Sequence, residues 1–481
     1  MTPEVIGLVG LAVLALLLLL RMPVGLSLIL VSFTGIYVLL GPRPAWGILT
    51  SVPYQFAAKW TLSSVPMFLL MGYVCYHGGM TRALFVTARS WLGALLDGLA
   101  IASVFGAGGF AAVTGSSVAC AAAMGRIAVP EMTRAGYDPG LATGSIAAAG
   151  TLGALIPPSI LLILFGIFAQ LPIGDLFLGG IGAGVLTAIT YAAMIYIRVR
   201  INPALAPTRE VPAGWEERFS HLRGIWPVIV LFVVVIGGMF AGFFTATEAG
   251  AVGALASCLI AWVNGGLTFA TLRQSVNETI VTSAALFLIA IGANLLTRFL
   301  ALSGSGELIT QTILTFGASE LALIMGIALV YIILGMFLDP IGAMLLTLPV
   351  LLPVVTEAGI PLVWFGVFVA KFLEIGMITP PVGLNVFVIK GVVDRSISLG
   401  VIFRGVIWFL VPGCRCGCCC DHGGVSSSDL VAPLAELGSS RIYAMDQEWR
   451  NYGGRSKAHS ISATWQFWAP KQPCANNASA L

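Results

Sequence analysis

The chain has 481 residues, of which 58% are hydrophobic and 9% are charged, and its formal net charge is +3 at pH 7. A soluble domain carries roughly 25% charged residues, and one soluble core cannot bury this much apolar surface, so the composition excludes a soluble globular protein. It indicates an all-α polytopic membrane protein embedded in the lipid bilayer, and the small net charge argues against nucleic acid as a partner.

Apolar runs of spanning length follow one another along the chain. They occupy 4–21, 24–41, 63–78, 139–170, 174–197, 225–242, 247–263, 277–298, 362–391 and 396–411. Two further runs, at 95–128 and 319–355, are interrupted midway by TGSS (114–117) and DPIG (339–342). Each predicts a re-entrant hairpin, in which two half-helices meet at a tip inside the membrane. Non-helical backbone is tolerated at that depth only where it is buried in protein or lines a wet cavity.

Two of the spanning runs, 139–170 and 362–391, are broken by adjacent prolines. The pairs are Pro157 with Pro158 and Pro380 with Pro381. Proline removes a backbone donor and leaves the carbonyl four residues earlier without its partner; those carbonyls belong to Gly153, Ala154, Gly376 and Met377. Unwound carbonyls near the membrane midplane are typical cation ligands, and the N-termini of half-helices attract anions. A kink that serves only helix packing would explain a single proline pair equally well. Two proline pairs that have the same separation along the chain as the two hairpins favour a pair of ion sites instead.

The landmarks recur at a nearly constant separation along the chain. The step from Pro157 to Pro380 is the same as the step from the first hairpin tip, at Gly115, to the second, at Leu338. Five spans precede the junction between the two copies, and because five is odd the second copy lies upside down in the membrane. The pattern therefore predicts an inverted-topology repeat, the architecture of secondary transporters. Its parts are a first repeat at 1–200, a cytoplasmic basic linker at 201–224 and a second repeat at 225–411.

Basic residues predict the orientation. The segment 198–223 carries several arginines, whereas the connection at 170–175 carries neither Lys nor Arg. Further arginines flank the first hairpin, namely Arg82, Arg89, Arg126 and Arg134. Because basic loops tend to stay in the cytoplasm, the N-terminus is expected on the outer, periplasmic side.

Four segments resemble a known family. They are TGSSVACAAAMGRIAVPEMTRAGYDPGLATGSIAAAGTLGALIPPSI (114–160), TATEAGAVGA (245–254), GMFLDPIGAMLLTLPVLLPVV (335–355) and GMITPPVGLNVFVIKGV (376–392). They resemble the large, DctM-like membrane subunit of TRAP transporters, the tripartite ATP-independent periplasmic systems, and the resemblance covers residues 1–411. It implies a transporter rather than an enzyme, located in the bacterial inner membrane. A transport domain of hairpins and broken helices would slide against a scaffold, as an elevator driven by a sodium gradient, to import organic acids such as C4-dicarboxylates, sugar acids and 2-keto acids.

The resemblance also implies partners. These are a small four-helix membrane subunit and a soluble periplasmic substrate-binding protein. No four-helix block precedes the first apolar run, so we expect the small subunit to be a separate chain. Sodium ions are expected as coupling ions, without a further cofactor.

Carried over by position, the resemblance implies one sodium ion at each hairpin tip and its facing helix break. The first set is Thr114, Gly115, Ser116, Ser117, Gly150, Thr151, Gly153, Pro157 and Pro158, and the second is Asp339, Pro340, Gly342, Gly376, Thr379, Pro380, Pro381 and Asn385. Hydroxyl and carbonyl oxygens are hard ligands, and their near-neutral character suits a monovalent ion that must also leave.

Ionisable residues inside predicted spans are candidates for function. Asp339 either takes part in ion binding or gating, or caps the half-helix that follows it. Lys371 and Glu374 are three residues apart on one predicted helix, which favours a structural ion pair over a proton relay.

Five residues are candidates for the substrate path: Thr245, Thr247, Glu248, Arg126 and Arg298. Glu248 opens a predicted span, where the alternative role is to stabilise the positive end of that helix. Arg126 and Arg298 are candidate counter-charges for a substrate carboxylate, with anchoring at the membrane interface as the alternative.

The character of the chain changes after Leu410. The repeat predicts a partner for the run at 174–197, but the apolar run ends near Val411 and CRCGCCCDHGG follows. The family resemblance also ends there. We interpret residues 412–481 as a non-native, cysteine-rich tail that follows a reading-frame change and leaves the last span truncated. A metal-binding appendage is the alternative, but CxCxCCC lacks the separated ligand pairs of a zinc module, so no metal is expected in the tail.

Two other functions stay open at this point. One is a self-sufficient sodium–dicarboxylate carrier that needs no binding protein. The other is a non-transporting membrane subunit of an energy-coupling complex, which would need a chain of buried titratable groups where this sequence offers only Lys371 and Glu374. No nucleotide-binding loop is present, so ATP is not the expected driver.

Overall fold

The computed structural model describes residues 2–93, 98–206, 214–315 and 320–422. All regular structure in these ranges is helical. In chain order the helices are α1 (Pro3–Leu19), α2 (Val24–Leu40), α3 (Pro42–Ala57), α4 (Ser64–His77), α5 (Met80–Leu92), α6 (Gly98–Thr114), α7 (Ser117–Arg134), α8 (Pro139–Gly150), α9 (Ile160–Ala169), α10 (Ile173–Ile201), α11 (Trp215–Gly224), α12 (Trp226–Phe232), α13 (Gly238–Phe240), α14 (Ala246–Val263), α15 (Phe269–Ser303), α16 (Ser305–Thr315), α17 (Glu320–Phe337), α18 (Pro340–Glu357), α19 (Leu362–Gly376), α20 (Leu384–Val392) and α21 (Leu399–His422). Short 3₁₀ turns lie at Trp60–Ser63, Thr151–Ala154 and Pro203–Leu205, and a π turn at Val233–Gly237 joins α12 to α13.

Five of the described helices are long and apolar enough to cross a membrane: α10, α14, α15, α17 and α18. A sixth span arises if α11 and the α12–α13 segment, which meet at an angle of 50°, are counted as one. Shorter apolar helices, among them α1, α2, α6 and α9, accompany them. The chain is thus an all-helical membrane protein with several apolar helices, as its composition predicts.

Both interrupted runs fold as two helices with a break at the expected residues. α6 ends at Thr114 and α7 begins at Ser117, and Gly115 between them has φ +60°, a conformation that glycine adopts without steric cost. α17 ends at Phe337 and α18 begins at Pro340. The fixed φ of proline suits the first position of a helix, so the sequence at each tip favours starting a new helix over continuing the old one.

The two proline-broken runs are interrupted as well. Residues 151–159 separate α8 from α9, and residues 377–383 separate α19 from α20. The peptide bonds Pro157–Pro158 and Pro380–Pro381, one in each break, are cis. Each run is therefore two short helices joined by non-helical backbone. The first break is almost entirely buried, whereas the second is buried at the end of α19 and reaches the surface at Pro381.

Glycine pairs bring the broken helices close to their neighbours. A Cβ atom on Gly144 of α8 would lie 2.5 Å from the carbonyl carbon of Gly405 in α21, and one on Gly376 of α19 would lie 2.7 Å from the Cα atom of Gly335 in α17. Small residues allow such close helix contact in membrane proteins, where van der Waals packing replaces the hydrophobic effect as the driving force. α8 is therefore held by α21, and α19 by α17.

The final helix extends beyond the apolar run that ends near Val411, but its apolar part, Leu399–Cys414, is among the shorter apolar helices, so a truncated last span stays a prediction. α21 continues as a helix of 24 residues to His422. Pro412 lies inside it, and Gly413 is buried close to Tyr191 of α10 and Ile375 of α19. Cysteine behaves as a small apolar residue, so the start of the cysteine-rich segment does not end the helix. The remainder of the tail, residues 423–481, lies outside the described residues.

Four helices outside the predicted runs, α3, α5, α11 and α16, were missed because they are not apolar throughout. α3 is amphipathic, with Val52 and Phe56 buried while Trp46 and Tyr54 are exposed. α11 lies within the segment predicted as a basic linker at 201–224. A search for spanning apolar runs does not detect helices of this kind, because their hydrophobic residues occupy one face only.

Candidate ion and substrate site

A cavity of about 280 Å³ lies where the two hairpin tips come together. The first tip contributes residues 114–119 to its wall, and the second contributes residues 339–341. The first helix break contributes Ala154, and α19 contributes Glu374. Segments from the two halves of the sequence therefore share one wall, and both tips belong to the same site.

The first tip packs against the break between α8 and α9. Ser116 caps α7 by accepting a hydrogen bond from the Ala119 N–H (3.4 Å), and the Thr114 hydroxyl donates to the Phe110 carbonyl (3.1 Å). A Cβ atom on Gly153 would lie 2.7 Å from the Ser116 carbonyl carbon. Only glycine permits this approach without a shift of the backbone, so the tip and the break touch directly.

The rest of the first predicted set surrounds the same contact. Gly115 lies so close to the Pro158 carbonyl that a side chain on it would collide, and a Cβ atom on Gly150 would lie 2.9 Å from a side chain of α7. The Thr151 hydroxyl donates to a carbonyl one turn earlier (2.6 Å), and Pro157 forms the turn with Pro158. The structure thus brings the first set together, and its role in sodium binding stays a prediction.

The second tip is built around the carboxylate of Asp339. One carboxylate oxygen, Oδ2, accepts hydrogen bonds from the N–H groups of Ile341 and Gly342, at 3.2 Å each. Asp339 therefore caps α18, which is the alternative role predicted for it. Its side chain is also exposed toward the cavity, so capping leaves the carboxylate available to a ligand.

The second helix break is close to the second tip but outside the cavity wall. Gly376 packs on Gly335 of α17, and the Thr379 hydroxyl donates to the Ile375 carbonyl (2.7 Å). Of the second predicted set, the residues Gly342, Gly376, Thr379, Pro380, Pro381 and Asn385 are outside the cavity wall. The structure therefore places Asp339 and Pro340 at the cavity and the other members in a surrounding layer.

The carbonyls at the two breaks were expected to be without hydrogen-bond partners, and for three of the four this is wrong. The donors are the Ser159 hydroxyl for Ala154 (2.5 Å), the Thr379 N–H for Gly376 (3.0 Å) and the Asn385 N–H for Met377 (3.1 Å). The chain bends back at each break and satisfies these carbonyls locally. A carbonyl oxygen has two lone pairs, so each keeps one acceptor position for a cation.

Ser117 connects the first tip to the second break. It is buried, and its hydroxyl lies 3.6 Å from the sulfur of Met377. Met377 is the first residue after α19. The two halves of the chain therefore meet at the cavity, because a side chain of the first tip contacts the second break.

Two buried polar side chains near the breaks have no hydrogen-bond partner among the described residues. They are Glu374, with both carboxylate oxygens, and Asn385, with its amide oxygen and nitrogen. The predicted ion pair between Lys371 and Glu374 is wrong, because the Lys371 ammonium instead reaches α10. There it donates to the Thr187 hydroxyl (3.0 Å) and lies 5.3 Å from the ring centroid of Tyr191.

Sequence reasoning missed the wall of the cavity that α4 and α15 supply. Gly72, Tyr73 and Tyr76 of α4 line it together with Thr282 of α15. The Tyr73 and Thr282 hydroxyls are hydrogen bonded to each other at 2.9 Å, and a Cβ atom on Gly72 would lie 3.0 Å from the Thr114 carbonyl oxygen. The only sequence signal was the small and polar residues inside apolar runs.

The five candidates for the substrate path do not line the cavity. Thr245 and Glu248 form a capping box at the start of α14, in which the Thr245 N–H donates to Glu248 Oε2 (2.8 Å) and the Glu248 N–H donates to the Thr245 hydroxyl (3.4 Å). This is the helix-stabilising alternative. Thr247 is buried in α14, and Arg126 and Arg298 are exposed on α7 and α15. A role in substrate transfer stays a prediction for these residues.

Within the described ranges, no three His, Cys, Asp or Glu side chains form a group that could hold a metal ion. Cys75, Cys120, Cys258 and Cys414 are free thiols. The prediction that the tail holds no metal concerns Cys416 to Cys474, whose side chains are outside the described residues.

The chain is similar to large permease subunits from several bacteria. It is 32% identical to the C4-dicarboxylate TRAP transporter large permease protein DctM of Pseudomonas aeruginosa over 360 residues, covering 74% of this chain and 83% of that protein. It is also 32% identical to the sialic acid TRAP transporter large permease protein SiaM of Vibrio cholerae over 401 residues, covering 81% and 90%. The names of these relatives include different substrates.

The fold is similar to that of the YdaH transporter of Alcanivorax borkumensis, with a TM-score of 0.56 at 16% identity over 80% of this chain and 90% of that one. A likeness at this identity concerns the fold alone. The family model for the DctM component of tripartite ATP-independent periplasmic transporters matches residues 11–414. Together with the two tips, the two breaks and the shared cavity, this match shows that the chain belongs to the DctM family of TRAP transporter large permeases, which are multi-pass membrane proteins.

Proposed function

We propose that this chain is the membrane subunit through which an organic acid, a C4-dicarboxylate or related carboxylate, enters the cell together with sodium ions. Its family is a family of transporter permeases and not of enzymes. The observation that carries the proposal is the cavity shared by residues 114–119 and 339–341. A site assembled from two halves of one chain can bind ions and substrate together. Movement of either half can then open the site.

The transport movement proposed here is an elevator built on an inverted-topology repeat. Equivalent landmarks of the structure support the repeat, because they recur at one fixed separation along the chain. The separation between the first residues of α8 and α19, Pro139 and Leu362, equals the separation between the cap residues Ser116 and Asp339. In inverted repeats, substrate and ions bind near the midplane between broken helices, and one bundle moves against the other.

The sodium ions would bind at the two tips and their breaks. At the first, the hydroxyls of Thr114, Ser116 and Ser117 lie beside the break that contains Gly153. At the second, Asp339 supplies a carboxylate exposed toward the cavity. Oxygen ligands of this kind suit a hard monovalent cation, and the second acceptor position of each break carbonyl adds to them.

The carboxylate of the substrate would be attracted by the N-termini of α7 and α18, which both begin at the cavity. Each N-terminus directs the positive end of its helix dipole at the cavity, although at α18 the N–H groups of Ile341 and Gly342 already donate to Asp339. Bound cations would offset the charge of Asp339. This arrangement explains a preference for organic anions, and it leaves the choice among them to the binding protein and to the α4–α15 wall.

The TRAP large permease family works with a small membrane subunit and a periplasmic binding protein. For this chain we propose a separate four-helix small subunit, a periplasmic N-terminus and a location in the bacterial inner membrane. The excess of arginine in the segment 198–223 supports this orientation, because basic loops remain cytoplasmic.

Uptake into proteoliposomes tests the proposal. The chain is reconstituted with a small subunit and a binding protein from the same gene neighbourhood, and labelled organic acids are supplied with and without an inward sodium gradient. A version with its reading frame corrected after residue 411 is compared with the present chain. We expect uptake that requires both sodium and the binding protein.

The other outcomes discriminate among the remaining interpretations. Sodium-driven uptake without a binding protein would identify a self-sufficient carrier. Absence of transport by both versions under any gradient would contradict the proposed function and leave a non-transporting subunit as the interpretation. Transport by the corrected version alone would support the reading-frame hypothesis, which an intact frame in the coding DNA would contradict.

A further inference from the structure

A second and larger cavity, of about 980 Å³, forms a groove between α10 and α21. Its wall is mostly apolar, with Leu186 and Ile197 on one side and Ile407 and Val411 on the other. None of its lining residues belongs to the cavity at the two hairpin tips, and all of them except Pro412 precede the change in the character of the chain. The groove is therefore a separate site, and its wall suits a long apolar ligand.

The groove extends over half the thickness of a membrane. α10 is long enough to cross the bilayer, and the groove follows it from Leu186, near its middle, to Arg198 and Asn202 at its end. At 1.5 Å per residue, Leu186 and Arg198 are about 18 Å apart along the helix, and one half of the hydrocarbon core is roughly 15 Å thick. The polar end of the groove therefore lies at the depth of the lipid headgroups of one leaflet.

Arg198 lies at that polar end with part of its guanidinium group unsatisfied. The guanidinium carbon is 5.1 Å from the ring centroid of Trp408 in α21. The nitrogen Nη1 is buried and has no hydrogen-bond partner among the described residues. A guanidinium group stays charged and has five donors, and buried donors in proteins are normally paired. Arg198 therefore offers the groove a charged donor that a ligand can use.

The charge at this end of the groove is positive. Arg200 is in the last turn of α10, and Arg404 is one turn before Trp408 on α21; both are exposed. Asp138 interacts electrostatically with Arg198, but its Oδ1 already accepts a hydrogen bond at the start of α8 (2.9 Å). The three arginines outweigh this one carboxylate and the negative end of the α10 dipole, so the end of the groove favours an anion.

We propose that the groove binds an anionic phospholipid from the leaflet next to the segment 198–223, with the phosphate at Arg198 and an acyl chain along α10 and α21. Guanidinium and phosphate groups form strong paired hydrogen bonds, and basic pockets between membrane helices suit anionic headgroups. A soluble phosphate compound would leave the apolar wall uncovered, and a zwitterionic lipid would leave the positive charge uncompensated. The site is independent of the proposed transport function.

The bound lipid would also stabilise the first broken helix. α21 holds α8 through the close contact between Gly405 and Gly144, and the groove lies between α21 and α10. A ligand that binds only the folded protein raises its stability, so lipid binding is measurable as a rise in the unfolding midpoint.

The test uses the purified full-length chain in detergent with three probes: phosphatidylglycerol, phosphatidylcholine with the same acyl chains, and glycerol 3-phosphate. Native mass spectrometry counts the bound lipids, and thermal unfolding gives the stabilisation. Arg198→Gln removes the charge, and Ala193→Phe fills the groove with an exposed side chain of its wall. Arg200→Gln and Ile189→Phe are the matched controls, because both residues are exposed on α10 outside the groove.

We expect phosphatidylglycerol to bind the wild type and both controls roughly tenfold more tightly than phosphatidylcholine, and glycerol 3-phosphate to have no effect. Arg198→Gln should weaken phosphatidylglycerol binding about tenfold, the loss of one charge-assisted hydrogen bond, and leave phosphatidylcholine binding unchanged. Ala193→Phe should weaken the binding of both lipids and keeps the test informative if Arg198→Gln does not fold.

Four results would overturn the proposal. Equal affinity for the two lipids would indicate ordinary contact with membrane lipid. Equal stabilisation by glycerol 3-phosphate would indicate an anion site without a lipid chain. Equal effects of Arg198→Gln and Arg200→Gln would indicate surface charge alone. Failure of both lipids to bind would favour a protein partner on this face.

Discussion

The two hairpin tips share one backbone design and differ in charge. In each, a side-chain oxygen caps the second half-helix, from Ser116 in the first tip and from Asp339 in the second. The first tip is neutral and packed against its break, with Thr114 and Ser117 buried. The second carries an exposed carboxylate, and its break lies behind it. The two tips thus share the geometry of the helix start, while their side chains differ in charge.

The difference suggests that the two similar halves contribute to ion binding in different ways. A neutral, tightly packed tip offers hydroxyl oxygens in fixed positions, whereas the second half supplies the negative charge through Asp339 and Glu374. Fixed neutral ligands give geometric selectivity, and charged ligands give affinity. Variants that alter packing at the first tip and charge at the second should therefore fail in different ways.

The largest effect is expected from Gly153→Val. Its side chain would force apart the first tip and the break, because a Cβ atom there already lies 2.7 Å from Ser116. Overpacking costs about 1–3 kcal/mol, which, if all of it falls on the ion-bound state, corresponds to a loss of sodium affinity of roughly 5- to 150-fold. Sodium-dependent uptake and the unfolding midpoint are the measurements. Gly182→Ala is the control, since nothing lies within 4 Å of that position, and equal effects of the two changes would contradict the packed-tip interpretation.

Asp339→Asn should have the next largest effect. The amide oxygen can still cap α18, but the charge is lost, so we expect sodium affinity to fall by about tenfold, or about 1.4 kcal/mol, with little change in stability. Sodium titration of uptake and thermal unfolding separate the two quantities. A loss of stability without a change in sodium dependence would show that Asp339 is only a cap.

Ser116→Ala removes the equivalent cap from the first tip. The loss of an N-cap costs about 0.5–2 kcal/mol of stability, and we expect only a few-fold effect on the sodium requirement because Thr114 and Ser117 remain. The unfolding midpoint of the purified chain measures the first quantity. If Ser116→Ala impaired sodium dependence as strongly as Asp339→Asn, the proposed division between neutral and charged tips would be wrong.

The smallest effect on transport is expected from Thr245→Ala, which breaks the capping box of α14. Stability should fall by about 0.5–2 kcal/mol, while the sodium and substrate dependence of uptake stay unchanged, because Thr245 is outside the cavity wall. A change in substrate affinity that persists after correction for the amount of folded protein would show that Thr245 and Glu248 take part in substrate transfer and are not only a helix cap.

Local chemistry explains why the breaks were predictable. The Pro157–Pro158 and Pro380–Pro381 pairs and the DPIG and TGSS turns act within a few residues, and a sequence shows such effects directly. The fate of the freed carbonyls was not predictable, because the donors Ser159 and Asn385 reach them only through the bend of the chain.

The features of the site that the sequence did not predict depend on contacts between helices that are far apart in the sequence. Lys371 and Glu374 have the spacing of an ion pair, but Thr187 and Tyr191 of a distant helix draw the ammonium away. Tyr73 and Thr282 enter the cavity wall because α4 lies beside the first tip through Gly72. Neither outcome is encoded in the spacing of residues along one helix.

The glycine contact between α8 and α21 has a consequence for how the protein is made. Gly140 and Gly405 touch closely, yet more than half of the chain separates them in the sequence. Since a ribosome adds only a few to a few tens of residues each second, α8 waits on the order of tens of seconds after its own synthesis before this neighbour is made. During that interval the first broken helix has no permanent partner on that face, so insertion of the first half is completed only when the last helix arrives.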